Sequence, residues 1–344
     1  MLDIDRFVEL TPSMENYWRS IILFGRNVAS YKFALAQALL DLRQQPGDCI
    51  NLEDLAGPFS RHLCTHLQHS PKQVTSRSSR FLDACAQFNA GALSEQQLTE
   101  TTVRLGFNNV IDAFHVVNQK ALPVRFFADE RRAGVIRLTD AFYTMQSALP
   151  ARDLPAEVES RWRLVETAWA LNLSRNLVAV GYEPTTQELV TRLDTRRTTI
   201  TSCRGALNGY QQGRCFYCSA PISIAPGESN LADVDHFFPY VLSTLHDAFR
   251  PIINGVWNLV LACTGCNRGP EGKSARIPDL RLLERLHRRN EYLISSHHPL
   301  RETIVAQTGA SEPTRRAFLQ TNYNHGRSAI IHTWFPKNAA ADCL

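Results

Sequence analysis

At 344 residues the chain can bury a substantial core and has room for two domains or one elaborated one. Its 44% hydrophobic and 20% charged residues are those of a globular protein, which excludes a disordered or fibrous chain. Lys and Arg number 37 against 33 Asp and Glu, and a net charge of +4 permits a nucleic-acid partner without requiring one, because phosphate binding leaves local basic clusters.

The N-terminus, Met1-Leu2-Asp3-Ile4-Asp5, carries acid where a secretion signal carries Lys or Arg. Apolar runs such as Ile21 to Phe24 fall far short of the roughly 20 residues that span a bilayer. The expectation is a cytoplasmic protein without membrane contact, its nine cysteines reduced. Residues 1–150 read as a helical N-terminal domain. Phe24, Val28, Tyr31, Leu35, Ala38 and Leu42 recur at spacings of three and four, the stripe of an amphipathic helix that Pro46-Gly47 stops. Ser94 and Gln97 form a capping-box pattern before Leu98. His62 and His66 share a helical face near Cys64 and His69, but no neighbouring carboxylate or second cysteine completes a metal set, and a structural role is preferred.

The stretch Leu149 to Pro155 reads as a linker to a second domain, 156–290. There Trp162, Val165 and Trp169 share a helical face, with Arg161 and Arg163 pointing elsewhere. Leu177 to Val180 suggests a strand, while Thr185 to Leu193 and Thr199 to Gln211 read as helices. The second of these brings Arg196, Arg197, Arg204 and Arg214 close to a cysteine pair. From Cys215 to Ile277 helical periodicity gives way to short apolar runs broken by Gly, Pro and Asn. Leu280, Leu283, Leu286 and Tyr292 then resume it. Residues 291–344 read as a helical extension packed on the second domain, because free tails rarely carry a Trp such as Trp334.

Cys49, Cys64, Cys85, Cys203 and Cys343 stand singly and suit buried small hydrophobes. The other four form two Cys-x-x-Cys knuckles, Cys215/Cys218 and Cys263/Cys266. Together they supply the four thiolates of a closed, structural zinc site. The 44 residues between the knuckles, 219 to 262, must hold an inserted element. Within them lies Asp233-Val234-Asp235-His236-Phe237-Phe238-Pro239. Asn258-Leu259-Val260-Leu261-Ala262 then reads as a buried strand entering the second knuckle, and Asn267-Arg268-Gly269 and Lys273 follow.

This combination resembles the HNH, or ββα-metal, endonucleases, in their zinc-stabilised branch with two Cys-x-x-Cys pairs. The order Asp-Val-Asp-His-x-x-Pro, Asn-x-Val-Leu, Asn-Arg-Gly is similar to the HNH domain of RNA-guided CRISPR effector nucleases, and the resemblance covers residues 205 to 280. The fold expected is mainly α with a small α+β module. It would have a helical N-terminal region for targeting, regulation or oligomerisation, an HNH core with zinc knuckles, and a helical tail.

The resemblance implies a role for each matching residue. His236 would be the general base, its ring oriented by a backbone carbonyl, and Asn258 would fix the loop between the strands so that His236 points correctly. Asp235 and Asn267 would hold one Mg²⁺ or Mn²⁺, with Asp233 either a further ligand or a supporting partner. The third signature position is Asn267 rather than His, which keeps an oxygen ligand. Arg268, Lys273 and Arg276 would contact phosphates, with the Arg281 to Arg289 stretch and the Arg196 to Arg214 set completing a ring of cations, although Arg285 to Arg289 suit a solvated helix face equally well. The activity implied is DNA phosphodiester hydrolysis, as in bacterial anti-phage defence or restriction. An RNA substrate, a homo-oligomer, a defence-system partner and a catalytically inactive zinc-ribbon adaptor remain open.

Overall fold

The computed structural model describes residues 13–337 apart from 45, 77, 118, 171–179, 194–195 and 297–298. The chain forms two compact units divided between Asn172 and Leu173.

In the first unit, Ser13 caps helix α1 (Met14–Phe24) by accepting a hydrogen bond from the Asn16 amide at 3.3 Å, and Trp18, Ile21 and Ile22 face the core. The apolar stripe expected to run from Phe24 to Leu42 is split. α1 ends at Gly25, whose backbone is extended, and α2 (Tyr31–Asp41) begins after Ser30. Val28, counted in the stripe, is 45% exposed. Two buried basic side chains stabilise the break. Lys32 Nζ donates to Gly25 O at 2.6 Å and Arg161 to Leu23 O at 2.8 Å, satisfying carbonyls orphaned at the helix end, while burial and the neighbouring Arg161 push Lys32 well below the ordinary lysine range.

Strand β1 (Cys49–Asn51) leads into helices α3 (Leu52–His69), α4 (Arg80–Asn89) and α5 (Glu95–Thr101). Both hydrogen bonds of the Ser94–Gln97 capping box are present at the start of α5. This unit is not wholly helical. Helix α6 (Val110–Ala113) is followed by the hairpin β2 (Val116–Val117) and β3 (Lys120–Ala121). Strands β4 (Phe127–Glu130) and β5 (Val135–Leu138) then join β1 in an antiparallel sheet of order β1-β5-β4, before α7 (Asp140–Ser147). Strands this short repeat too few alternations to register in a sequence pattern.

The segment read as a linker forms a 3₁₀ turn, Leu149–Asp153, that runs directly into α8 (Leu154–Ala170). That helix belongs to the first unit. Trp162 is fully buried, lies 3.5 Å from the His66 ring with which it stacks, and donates its indole N–H to Gln73 Oε1 at 2.9 Å. Glu157 pairs with the buried Arg19 guanidinium at 2.9 Å. The division between units therefore falls one helix beyond the linker expected from sequence.

The histidine cluster on α3 does not converge on one ligand. His66 sits between Glu166, 2.7 Å from Nδ1, and Glu159, 3.0 Å from Nε2, while His62 bonds Asp41 at 2.7 Å. Of the single cysteines, Cys64, Cys85 and Cys203 are buried, Cys49 is exposed, and Cys343 lies outside the described residues.

The second unit opens with an antiparallel meander, β6 (Val180–Glu183), β7 (Glu188–Leu193) and β8 (Arg196–Ser202). Helices were expected over most of this span. Only from Cys203 is the chain helical, in α9 (Cys203–Asn208) and a 3₁₀ turn to Gln211. Repeated Thr, Val and Ile supply the β-branched side chains that favour strands. Leu177 to Ala179 lie outside the described residues.

Then follow β9 (Asp233–His236), α10 (Leu242–Leu245), β10 (Leu259–Ala262), α11 (Thr264–Arg268), β11 (Ile277–Pro278), α12 (Leu280–Ser295), α13 (Pro299–Thr308), α14 (Glu312–Ala329) and β12 (Thr333–Trp334). α12 buries Leu283, Leu286 and Tyr292, whereas Leu280, counted in the same pattern, is 52% exposed. β12 pairs in parallel with β11, so the end of the described chain returns beside the segment that follows the second knuckle. No helix among the described residues is long and apolar enough to cross a membrane.

Candidate metal centre and adjoining histidine site

The two knuckles meet. The first is a tight turn in which the Cys215 amide donates to Ala220 O at 2.8 Å and the Ser219 amide to Cys215 O at 3.0 Å, with Ser219 in the left-handed region (φ 62°). A further bond from Phe216 N to Leu261 O, at 2.9 Å, fastens this turn to β10, whose end delivers Cys263 at the cap of α11. The ligand atoms of Cys215, Cys218, Cys263 and Cys266 all lie within 4.8 Å of one another, and the Cys218 and Cys263 sulfurs are 3.8 Å apart. Four thiolates about 2.3 Å from a central zinc define a tetrahedron with edges of about 3.8 Å. All four are free of disulfides. Hydrogen bonding among the four thiols splits them, with Cys218 and Cys263 held below the usual range and Cys215 and Cys266 pushed above it. The cluster could hold a structural metal such as zinc, and with four sulfurs it would leave no open coordination position.

Between the knuckles, β9 and β10 pair antiparallel with His236 opposite Leu259 and Asp235 opposite Val260. β10 is wholly buried, which fixes the register, since a slip of one residue would turn β9 over. Strand alternation puts Asp233 and Asp235 on one face and sends His236 to the other.

Asp235 is buried and both its oxygens are engaged. Tyr217, from inside the first knuckle, donates to Oδ2 at 2.6 Å, and Lys273 Nζ lies 3.3 Å from Oδ1. Lys273 is itself fully buried, and its amide donates to Cys266 O at 2.6 Å, so each knuckle delivers one partner to this carboxylate. Burial pushes Asp235 up from the ordinary carboxylate range, against the pull of Lys273 and Tyr217, and pushes Lys273 down. Both shifts run toward neutralisation, so desolvation outweighs the attraction within the pair. Trp334 of β12 closes the far side of Tyr217, ring centroids 5.1 Å apart, and donates its indole N–H to Glu271 O at 2.7 Å.

His236 is half-buried at the end of β9. Its Nε2 lies 2.9 Å from Asn254 Oδ1, and its ring meets those of Tyr182 and Tyr240 at centroid distances of 5.8 and 5.6 Å. Burial lowers its pKa, so the ring is held toward the neutral form. Fully buried Asn258 clips the connecting loop. Its Oδ1 accepts from Phe238 N at 2.8 Å, and its Nδ2 donates to Phe238 O at 3.1 Å and to Ile253 O at 2.9 Å. Its main-chain carbonyl accepts from Phe237 N at 2.7 Å.

Asn267 was expected beside Asp235. Its amide instead donates to Asp233 Oδ2 at 3.2 Å, because α11 reaches the outer of the two carboxylates. Arg268, 69% exposed, also binds Asp233, with Nε 3.1 Å from Oδ2. Among the expected phosphate contacts, Lys273 is corrected: a fully buried amine paired to Asp235 cannot meet a backbone phosphate. Arg276 is half-exposed and its guanidinium binds the main-chain carbonyls of Glu271 and Gly272, which braces the loop. Arg289 is buried against Trp257 O and leaves the cationic ring. Arg204 and Arg214 are spent on Ala232 O and Ser219 O, while the side chains of Arg196 and Arg197 lie outside the described residues.

Three contributors had no place in the sequence reading. Tyr217 carried a signal, since a residue between paired cysteines must lie beside the metal centre. Asn254 and Gln211 carried none. Gln211 pairs its side-chain amide with both main-chain groups of Leu261 at 2.8 Å and so acts as a local strand partner. Comparison with protein-family models, curated proteins and solved structures finds no match to this chain.

Proposed function

We propose that this protein is a metal-dependent endonuclease of the HNH type that hydrolyses DNA phosphodiester bonds. The observation that carries the reading is a half-buried histidine at the end of a strand bearing two carboxylates, held by an asparagine clip and framed by a four-cysteine cluster. In this reading the water oxygen bonds to phosphorus as its proton passes to His236. The leaving oxygen departs with the electron pair of the broken P–O bond and takes a proton from solvent.

Asp233, Asp235 and Asn267 offer the hard oxygen donors that Mg²⁺ or Mn²⁺ prefers. To hold an ion, Asp235 would have to release Lys273, Asp233 would have to release Arg268, and Asn267 would have to turn its amide so that Oδ1 replaces the Nδ2 now 3.2 Å from Asp233. When bound, such an ion would supply Lewis-acid stabilisation of charge on the phosphate. Arg268 remains the exposed cation beside Asp233 and would bind the backbone. A role in anti-phage defence or restriction, with the first unit providing targeting, control or self-association, rests on the family resemblance.

One observation favours a second reading. An Asp235 carboxylate committed to Lys273 and Tyr217 suits a catalytically inactive zinc-ribbon module that only binds nucleic acid. Plasmid cleavage by purified protein with Mg²⁺, Mn²⁺ or EDTA, alongside His236→Ala, separates the two. Metal-dependent nicking lost in the variant is the expected result. Retention of nicking in His236→Ala would overturn the assignment of the base. If folded, zinc-loaded protein cleaves neither DNA nor RNA but shifts both on a gel, the binding module stands instead.

A further inference from the structure

A histidine serving as a base must present one bare nitrogen, and the hydrogen bond at the other nitrogen decides which. The family resemblance led to a backbone carbonyl as the orienting group. In this chain the partner at Nε2 is a side chain, the Asn254 amide oxygen, 2.9 Å away. An amide oxygen only accepts, so Nε2 must carry the proton of a neutral ring facing it.

The placement of Asn254 is built rather than incidental. The preceding residue, Ile253, gives its carbonyl to the Asn258 side chain at 2.9 Å and its amide to Phe249 O at 2.8 Å. The following residue, Gly255, leaves no room for a Cβ, which would collide with the Trp257 indole nitrogen. The same Asn258 side chain holds Phe238, two residues past His236. A single buried asparagine thus fixes both ends of the hydrogen bond between the ring and Asn254. Tyr182 and Tyr240 also pack against the imidazole, with ring centroids 5.8 and 5.6 Å from it.

We propose that Asn254 is a positioning residue that locks His236 in the tautomer protonated at Nε2, leaving the Nδ1 lone pair as the proton acceptor of the reaction. This rests on the nuclease reading for its consequence, but the tautomer itself is a property of the folded protein. Asn254 need not touch substrate. It acts through the ring, as an orienting carboxylate does in a hydrolase triad.

The test has two independent readouts. The first is ¹⁵N NMR of histidine-labelled full-length protein, with the His236 signals assigned by their loss in His236→Ala. A protonated Nε2 and an unprotonated Nδ1 are expected. A ring protonated at Nδ1 overturns the proposal without any variant being made. The second is steady-state cleavage by Asn254→Ala and Asn254→Asp. Asn254→Ala should lower kcat about 10- to 100-fold with KM little changed, while Asn254→Asp, which keeps an acceptor, should recover most of that loss. Wild-type kcat in a folded Asn254→Ala protein overturns the proposal, as does a carboxylate variant no better than alanine. If the wild type shows the expected tautomer but no cleavage of DNA or RNA, the nuclease reading fails and the assigned reaction of Nδ1 with it, while the tautomer lock stands.

Discussion

Replacing Lys273 with Met would remove the only cation paired with buried Asp235 among the described residues while preserving most of the side-chain volume. At 3.3 Å the pair attracts by about 5 kcal/mol for an effective dielectric constant of about 20. Burial of both groups offsets much of that in the wild type. The variant loses the attraction but keeps the buried carboxylate, with only the Tyr217 hydroxyl to serve it, and the expected loss of unfolding free energy is about 3–5 kcal/mol. The assay is urea denaturation at pH 7 with zinc content measured in parallel, so that metal loss is not mistaken for pair loss. A carboxylate whose folded pKa is raised binds its proton more tightly when folded. The penalty is therefore greatest above that pKa and shrinks as pH falls through it. The deficit should be smaller at pH 5 than at pH 7, and Lys273→Met/Asp235→Asn should recover at least half of it. A Lys273→Met protein within about 1 kcal/mol of wild type, or a double variant as unstable as the single, would refute the view that this pair is a buried and mutually dependent unit.

Further predictions concern other parts of the molecule. Cys266→Ser should reduce bound zinc below one ion per chain and lower the yield of soluble protein, since a structural zinc contributes of order 10 kcal/mol to folding; full retention of metal would show that the cluster is not its site. In the first unit, burial would lower the His66 pKa, but the hydrogen bonds its ring donates to Glu159 and Glu166 outweigh it and raise it. That contribution should be fully present below the unfolded value of about 6.5 and fade as pH rises through the folded value, and His66→Gln should flatten the pH dependence of thermal unfolding in that window.

The candidate site was legible where its chemistry lies in contiguous or evenly spaced residues. Paired cysteines declare a metal centre because two thiolates two residues apart already share a turn, and His236 and Asn258 stood out because each adjoins a short apolar run. What sequence hid was direction. Lys273 reads as one cation among several, and only the return of the chain past Cys266 turns it inward. Which of the two carboxylates on one strand face Asn267 would bond was not legible either, since it depends on how far a five-residue helix reaches. Asn254 could not have been found, since its role comes entirely from a loop folded back on β9. In the fold, the errors lie where periodicity is weakest, in the short strands of the first unit and in the Thr-rich meander read as helix.

The pairing of β12 with β11 has a consequence for the order in which the molecule is made. Trp334 covers Tyr217 and anchors the Glu271 carbonyl, which also receives Arg276 from the loop that buries Lys273. Trp334 lies more than fifty residues beyond the others. On the ribosome, both cysteine knuckles emerge well before the segment that shields the carboxylate between them. A nascent chain can therefore capture its metal early, yet the surroundings of Asp235 are sealed only when the last described strand has been synthesised and docked.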